Sequence, residues 1–201
     1  MLKKLIDGIC AGILISIGGS VFLACDNKYI GAVLFSVALL FICFKGYSLY
    51  TGKIGYLPEN HKKDDIATTF LGLFGNAIAT CLLGMLIAYA LPNLVEKANE
   101  ICTAKLGQEF LQTIVRSIFC GILMYLAVSV YKEGKGIAGI FFAVPVFILS
   151  GFEHSIANMF YFGVSEIVSF KAFAYIWVVI LGNSIGGMLL PALQMLGRKG
   201  K

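Results

Sequence analysis

The chain has 201 residues, of which 59% are hydrophobic and only 13% charged, and its mean hydropathy is +0.87. Ordinary soluble domains carry about 25% charged residues, so the composition excludes a soluble globular protein and implies one embedded in a lipid bilayer. The net charge of +5 lies at the ends of apolar runs with no basic-aromatic patch, which excludes nucleic-acid binding; the lack of a metal-ligand cluster, nucleophile-base pair or cofactor motif argues against an enzyme.

Six apolar runs stand at about 5–24, 30–50, 66–92, 108–131, 137–163 and 172–197. Each is near or above the roughly 20 residues with which a helix crosses about 30 Å of hydrocarbon. Short connections predict one all-α membrane domain over residues 1–201. The first run is not read as a signal peptide, because it has no small-residue cleavage site and carries Asp7 and a face of Gly12, Gly18 and Gly19 suited to helix packing. The second is interrupted by Phe44-Lys-Gly-Tyr-Ser-Leu-Tyr-Thr-Gly52. Before the third, His61 and Lys62-Lys-Asp-Asp65 read as a solvated loop. The third carries Asn76, and the fourth Arg116, for which a polar partner at a helix or subunit interface is expected.

The fifth run contains Gly151-Phe-Glu-His-Ser-Ile-Ala-Asn-Met159. An ionisable group at bilayer depth costs on the order of 3 kcal/mol on insertion scales, which marks the stretch as a functional site. The sixth run carries Gly182-Asn183. The six cysteines lie mostly inside the runs and read as packing residues; Cys25 and Cys102 are sent to one side, but nothing in the sequence brings them together.

With six spans, the two termini and the loops on their side hold ten basic residues (Lys3, Lys4, Lys53, Lys62, Lys63, Lys132, Lys135, Arg198, Lys199 and Lys201), against four opposite (Lys28, Lys97, Lys105 and Lys171). The positive-inside rule then puts both termini in the cytoplasm. The halves also repeat. Gly75-Asn76 matches Gly182-Asn183 at an offset of 107, Gly12-Ile-Leu14 matches Gly121-Ile-Leu123 at 109, and Gly46 matches Gly151 at 105. An odd-numbered repeat of three spans enters the membrane from opposite sides, with the interruptions in the middle span of each copy. A break exposes backbone N–H groups at a new helix N-terminus, which favours an anion or a neutral acid over a metal cation. Asn76 and Asn183 read as interhelical hydrogen-bond glue rather than as substrate contacts.

Gly151 to Met159 resembles the fifth-span signature of the formate/nitrite transporter family, and the likeness extends to Gly31-Ala-Val-Leu-Phe-Ser36, Leu49-Tyr-Thr51, Gly75-Asn76, Cys120-Gly-Ile-Leu123 and Gly182 to Gly187. The resemblance implies an aquaporin-like protomer of six transmembrane helices, in two inverted repeats of about 1–92 and 105–197 with the second and fifth helices broken. It implies a homopentamer in the cytoplasmic membrane, each protomer with its own pore, passing formate, nitrite, hydrosulfide or similar small monovalent anions, or their conjugate weak acids, without a cofactor. By the same resemblance His154 is the central pore histidine, Thr51 faces it, Lys105 is the vestibule lysine, and Glu153 and Asn158 flank the histidine. Phe35, Leu39, Leu49, Met124 and Phe147 fall at the apolar constrictions, and Tyr50 stands there where the family usually has phenylalanine. Gly121, where an asparagine often follows the cysteine, and Lys45, inside the broken span, depart from the pattern. The implied cycle has a lysine concentrating the anion, a neutral acid crossing the dry gates, and His154 donating a hydrogen bond or relaying a proton. The competing readings are a tightly coupled symporter and a neutral-solute, aquaporin-like pore.

Overall fold

A backbone in lipid has no water to bond, so apolar runs resolve into helices that satisfy their own N–H and C=O groups. The computed structural model describes residues 1–199, with side chains described as far as Arg198. The order is α1 (Leu2–Ala24), α2 (Lys28–Lys45), α3 (Tyr50–Lys53) followed by a 3-10 turn (Ile54–Tyr56), α4 (Lys63–Ala90), α5 (Asn93–Leu106), α6 (Phe110–Lys132), α7 (Ala138–Leu149), α8 (Ser155–Ser165) and α9 (Phe170–Lys199), with no strand among the described residues. Five of these helices (α1, α2, α4, α6 and α9) are long and apolar enough to cross a membrane, while α7, equally apolar, has 12 residues. This is a multi-pass membrane protein.

Two helix pairs form the frame: α1 runs along α4, and α6 along α9. Glycine lets the axes come close where a side chain has no room. A Cβ on Gly12 would stand 2.7 Å from that of Ala79, and one on Gly8 2.7 Å from the carbonyl oxygen of Gly72. In the second pair Gly121 meets the backbone of Asn183, and Gly186 that of Ile118. Between the pairs, α2 lies on α7, and α8 packs on α4 and α5 with nearly every residue buried.

Two expectations change. The connection between the third and fourth runs is not a short link but the 14-residue helix α5. Its polar surface hides it from a hydropathy scan, yet Leu94, Ala98 and Cys102 recur at helical spacing and are its buried residues. Lys63, Asp64 and Asp65 are not loop but the first turn of α4, where the two carboxylates complement the positive helix end and Asp64 pairs with Lys4. Arg116 is exposed and makes no ion pair among the described residues. All six cysteines are free. Lys201 and the Lys199 side chain, counted in the charge asymmetry, lie outside the described residues.

Gly12→Leu forces α1 from α4 and is expected to cost about 1–3 kcal/mol of overpacking, lowering the thermal unfolding midpoint in detergent by several degrees. Gly107→Ala, whose new Cβ meets its nearest atom at 3.4 Å, serves as the neutral comparison. Equal midpoints for the two variants would contradict the close-packing account.

Candidate functional site

The site lies where α2 and α7 stop. Each helix ends on a glycine in the left-handed conformation, Gly46 at φ 69° and Gly151 at φ 69°, a region open to glycine at little cost. The hydrogen bonds of the two ends match. Gly46 N–H donates to the Cys43 carbonyl at 3.2 Å and Tyr47 N–H to Ile42 at 3.1 Å. Likewise Gly151 N–H donates to Ile148 at 3.2 Å and Phe152 N–H to Phe147 at 2.9 Å. One residue on, Ser48 N–H reaches the Asp7 carbonyl of α1 at 3.2 Å, and Glu153 N–H the Arg116 carbonyl of α6 at 3.3 Å.

Two asparagines close what remains. Asn76 of α4 accepts from Tyr50 N–H at 2.9 Å and donates to the carbonyls of Gly8 at 2.7 Å and Ser48 at 3.0 Å. Asn183 of α9 accepts from Ser155 N–H at 2.8 Å and donates to the carbonyls of Ser117 at 2.8 Å and Glu153 at 2.7 Å. Both are wholly buried. They are bracing residues, as the sequence suggested.

His154 is the N-cap of α8. Its Nδ1 accepts from Ala157 N–H at 3.1 Å, so the neutral ring carries its proton on Nε2 and donates it to Thr51 Oγ1 at 2.9 Å. That leaves the Thr51 hydroxyl proton with no acceptor among the described residues. The two breaks thus meet through one buried bond.

Phe147 stacks on the His154 ring at 5.5 Å and meets Phe35 edge-on at 6.3 Å, so these three rings form a continuous apolar and polar series. Leu39 and Leu49 line a small cavity on the other side, towards Lys132. Met124 is buried in the same core. The Tyr50 hydroxyl is bonded to Ser184 Oγ at 2.7 Å and its ring faces Phe70 at 6.3 Å, and Tyr50 is not among the residues lining that cavity. Lys45 is exposed in the last turn of α2.

Glu153, 2% exposed, is compensated on every side: Lys105 Nζ donates at 2.5 Å, Gln108 Nε2 at 2.7 Å and Asn158 Nδ2 at 2.9 Å. A buried carboxylate persists only with such partners. Lys105, on the last turn of α5, is therefore tied into the wall by an ion pair rather than standing free. Gln108 carries no sequence signal and escaped notice; its role is visible only once α5 brings it beside Glu153. Among the described residues no cluster of His, Cys, Asp or Glu converges as a metal site.

The model of the family described as "Formate/nitrite transporter" matches residues 1–196. The chain is 26% identical over 223 residues to a formate-nitrite transporter of Plasmodium ovale, covering 94% of this chain and 71% of that protein. Among solved structures it resembles one described as "FNT family ion channel" with a TM-score of 0.87 at 19% identity, covering 98% of this chain and 90% of that one. A second, described as "Pentameric formate channel with formate bound", matches with a TM-score of 0.77 at 24% identity over 100% of this chain and 98% of that one. At these identities the structural likeness is one of fold.

Asn183→Leu strips Ser155 N–H and the Glu153 carbonyl of a partner and leaves the Ser117 carbonyl only its intrahelical bond, and Asn76→Leu does the same to Tyr50 N–H, the Ser48 carbonyl and the Gly8 carbonyl. Each orphaned buried group costs about 1–3 kcal/mol. Amide exchange is expected to accelerate at Ser155 but not Tyr50 in the first variant, and at Tyr50 but not Ser155 in the second; uniform change in both would refute separate bracing of the breaks.

Proposed function

The chain belongs to the formate/nitrite transporter family, and from that premise we propose that it passes small monovalent anions of the formate, nitrite and hydrosulfide class, or their conjugate acids, across the cytoplasmic membrane. The family is one of transporters and channels, and the protein is not an enzyme. In this reading α2 with α3, and α7 with α8, are the interrupted second and fifth of six spans, arranged as inverted repeats of about 1–92 and 105–197. The matching hydrogen bonds of the two breaks support that duplication. The charge asymmetry supports cytoplasmic termini. The pentameric description of one structural neighbour supports a homopentamer in which each protomer has its own path.

The observation that carries the function is the His154–Thr51 bond, a donor array facing the path between apolar walls. A bare anion crosses a dry constriction only at a cost of many kcal/mol, on the order of tens for an isolated ion in an apolar medium. A low dielectric disfavours the charged form, so the acid that forms at the mouth is the species suited to pass Phe35 and Phe147 on one side and Leu39 and Leu49 on the other. Between them, the free hydroxyl proton of Thr51 bonds an acceptor oxygen or sulfur of the passing molecule. His154 orients Thr51. A second proton on His154 would have to enter at Nδ1 and displace Ala157 N–H from the positive end of α8, so the ring serves as a neutral donor and the transferred proton comes from water at the mouth. Lys105, Glu153 and Asn158 shape the outer mouth as a compensated polar wall.

Proteoliposomes are expected to take up formate, nitrite or hydrosulfide, faster as the pH on the loading side falls. Thr51→Val, which removes the bond to the passing molecule, about 1.5 kcal/mol, together with the bond from His154, should lower flux at least about tenfold, with little change in water or glycerol permeability by osmotic swelling. Failure to move any of the three substrates defeats the proposal, and glycerol permeation in its place would identify a neutral-solute pore.

A further inference from the structure

Immediately past Leu39 and Leu49, at the Lys132 end of the path, lies a cavity of about 90 Å³ lined by those two leucines, Cys43 and Tyr131, and by both Lys53 and Lys132. Neither lysine forms an ion pair among the described residues. Of the acidic groups at this end Glu133 is paired with Lys135 at 2.6 Å, Glu59 with Arg198 at 3.5 Å and Asp64 with Lys4, while Asp7 and Asp65 form no ion pair among the described residues; none of the five lines the cavity. Lys132 is exposed, and its ammonium sits 3.7 Å from the centroid of the Tyr56 ring, a contact that does not cancel its charge. Two uncompensated cations thus converge on one small cavity, and their mutual repulsion is relieved by a negative charge placed between them.

The opposite mouth is built differently. Its lysine, Lys105, is neutralised by Glu153. The geometry points to an anion subsite at the Lys53–Lys132 mouth, holding one small monovalent inorganic anion or short carboxylate before it meets the Leu39–Leu49 constriction. The inference deepens the transport reading and rests on it for the direction of traffic: with the termini inside, this is the cytoplasmic mouth. Loading is then unequal, with the cytoplasmic side saturating at lower concentration. Reversibility requires equal ratios of maximal rate to half-saturating concentration in the two directions at zero gradient, so the tighter inner site is accompanied by a proportionately slower maximal efflux.

Cys43, on the cavity wall, offers a readout independent of flux. Detergent-solubilised protein is treated with sulfonatoethyl or trimethylammonioethyl methanethiosulfonate, and labelling of the Cys43 peptide is followed by mass spectrometry. Both reagents consume the same thiolate, so the ratio of their rates cancels changes in thiol reactivity and reports the local potential. Relative to their rates with a free thiol, the anionic reagent is expected to be favoured about tenfold or more. That preference should disappear in K53Q/K132Q, return in K53R/K132R, and diminish in the unsubstituted protein as sodium formate replaces sodium gluconate at constant ionic strength. A ratio unchanged by K53Q/K132Q, or unmoved by formate in the unsubstituted protein, overturns the subsite. Absence of all flux alongside intact charge-selective labelling removes the transport reading and leaves the subsite standing; normal flux with an unselective Cys43 does the reverse.

Discussion

Where helix gives way to open chain, between α2 and α3 and between α7 and α8, backbone N–H and C=O groups lose their intrahelical partners, and the structure depends on how those groups are closed. Asn76 and Asn183 each supply one acceptor and two donors to the same three kinds of backbone atom. An asparagine reaches only a short distance, so the helix that carries it must lie almost against its neighbour. The glycines along α1 and α4, and along α6 and α9, provide that approach. Close helix packing and open backbone are therefore one requirement seen from two places.

At the two sites of matching hydrogen bonds the side chains at corresponding positions differ. Where the second break carries Glu153, His154 and Asn158, the first carries Ser48, Leu49 and Lys53 at an offset of 105. Both His154 and Leu49 cap a helix in extended conformation, but the histidine binds its helix with a side chain and the leucine does not. One break consequently contributes hydrogen-bonding chemistry and a buried compensated charge, and the other an apolar wall with lysines beyond it that form no ion pair among the described residues. The backbone provides position, and the differing side chains provide polarity.

Much of this was legible because membrane burial leaves few polar residues, and each one stands out. Gly46 and Gly151, Asn76 and Asn183, and the run from Gly151 to Met159 carry their meaning in residue type and spacing. The features that escaped depend on long-range placement or on a weak local signal. The helix α5 is too polar for a span search, although Leu94, Ala98 and Cys102 mark its inner face. Lys105 reads identically whether solvated or paired, and only the fold brings it to Glu153. Lys53 and Lys132 entered the sequence reading as topological charges; their convergence on one cavity joins α3 to the end of α6, which no local pattern encodes. The Tyr50 hydroxyl, placed at a constriction by the family resemblance, bonds Ser184, 134 residues away, a partner no local pattern encodes.

The bracing bonds also bear on how the chain is made. Every partner of the first break, from Gly8 through Ser48 and Tyr50 to Asn76, belongs to α1, α4 or the stretch between them. Those of the second, from Ser117 through Glu153 and Ser155 to Asn183, lie in its own half. A nascent chain emerging from the ribosome therefore holds all the atoms that close its first interruption before α6 has been translated. The exposed backbone of that half need not wait in lipid for the second, whereas side-chain contacts such as His154–Thr51 and Tyr50–Ser184 require both to be present.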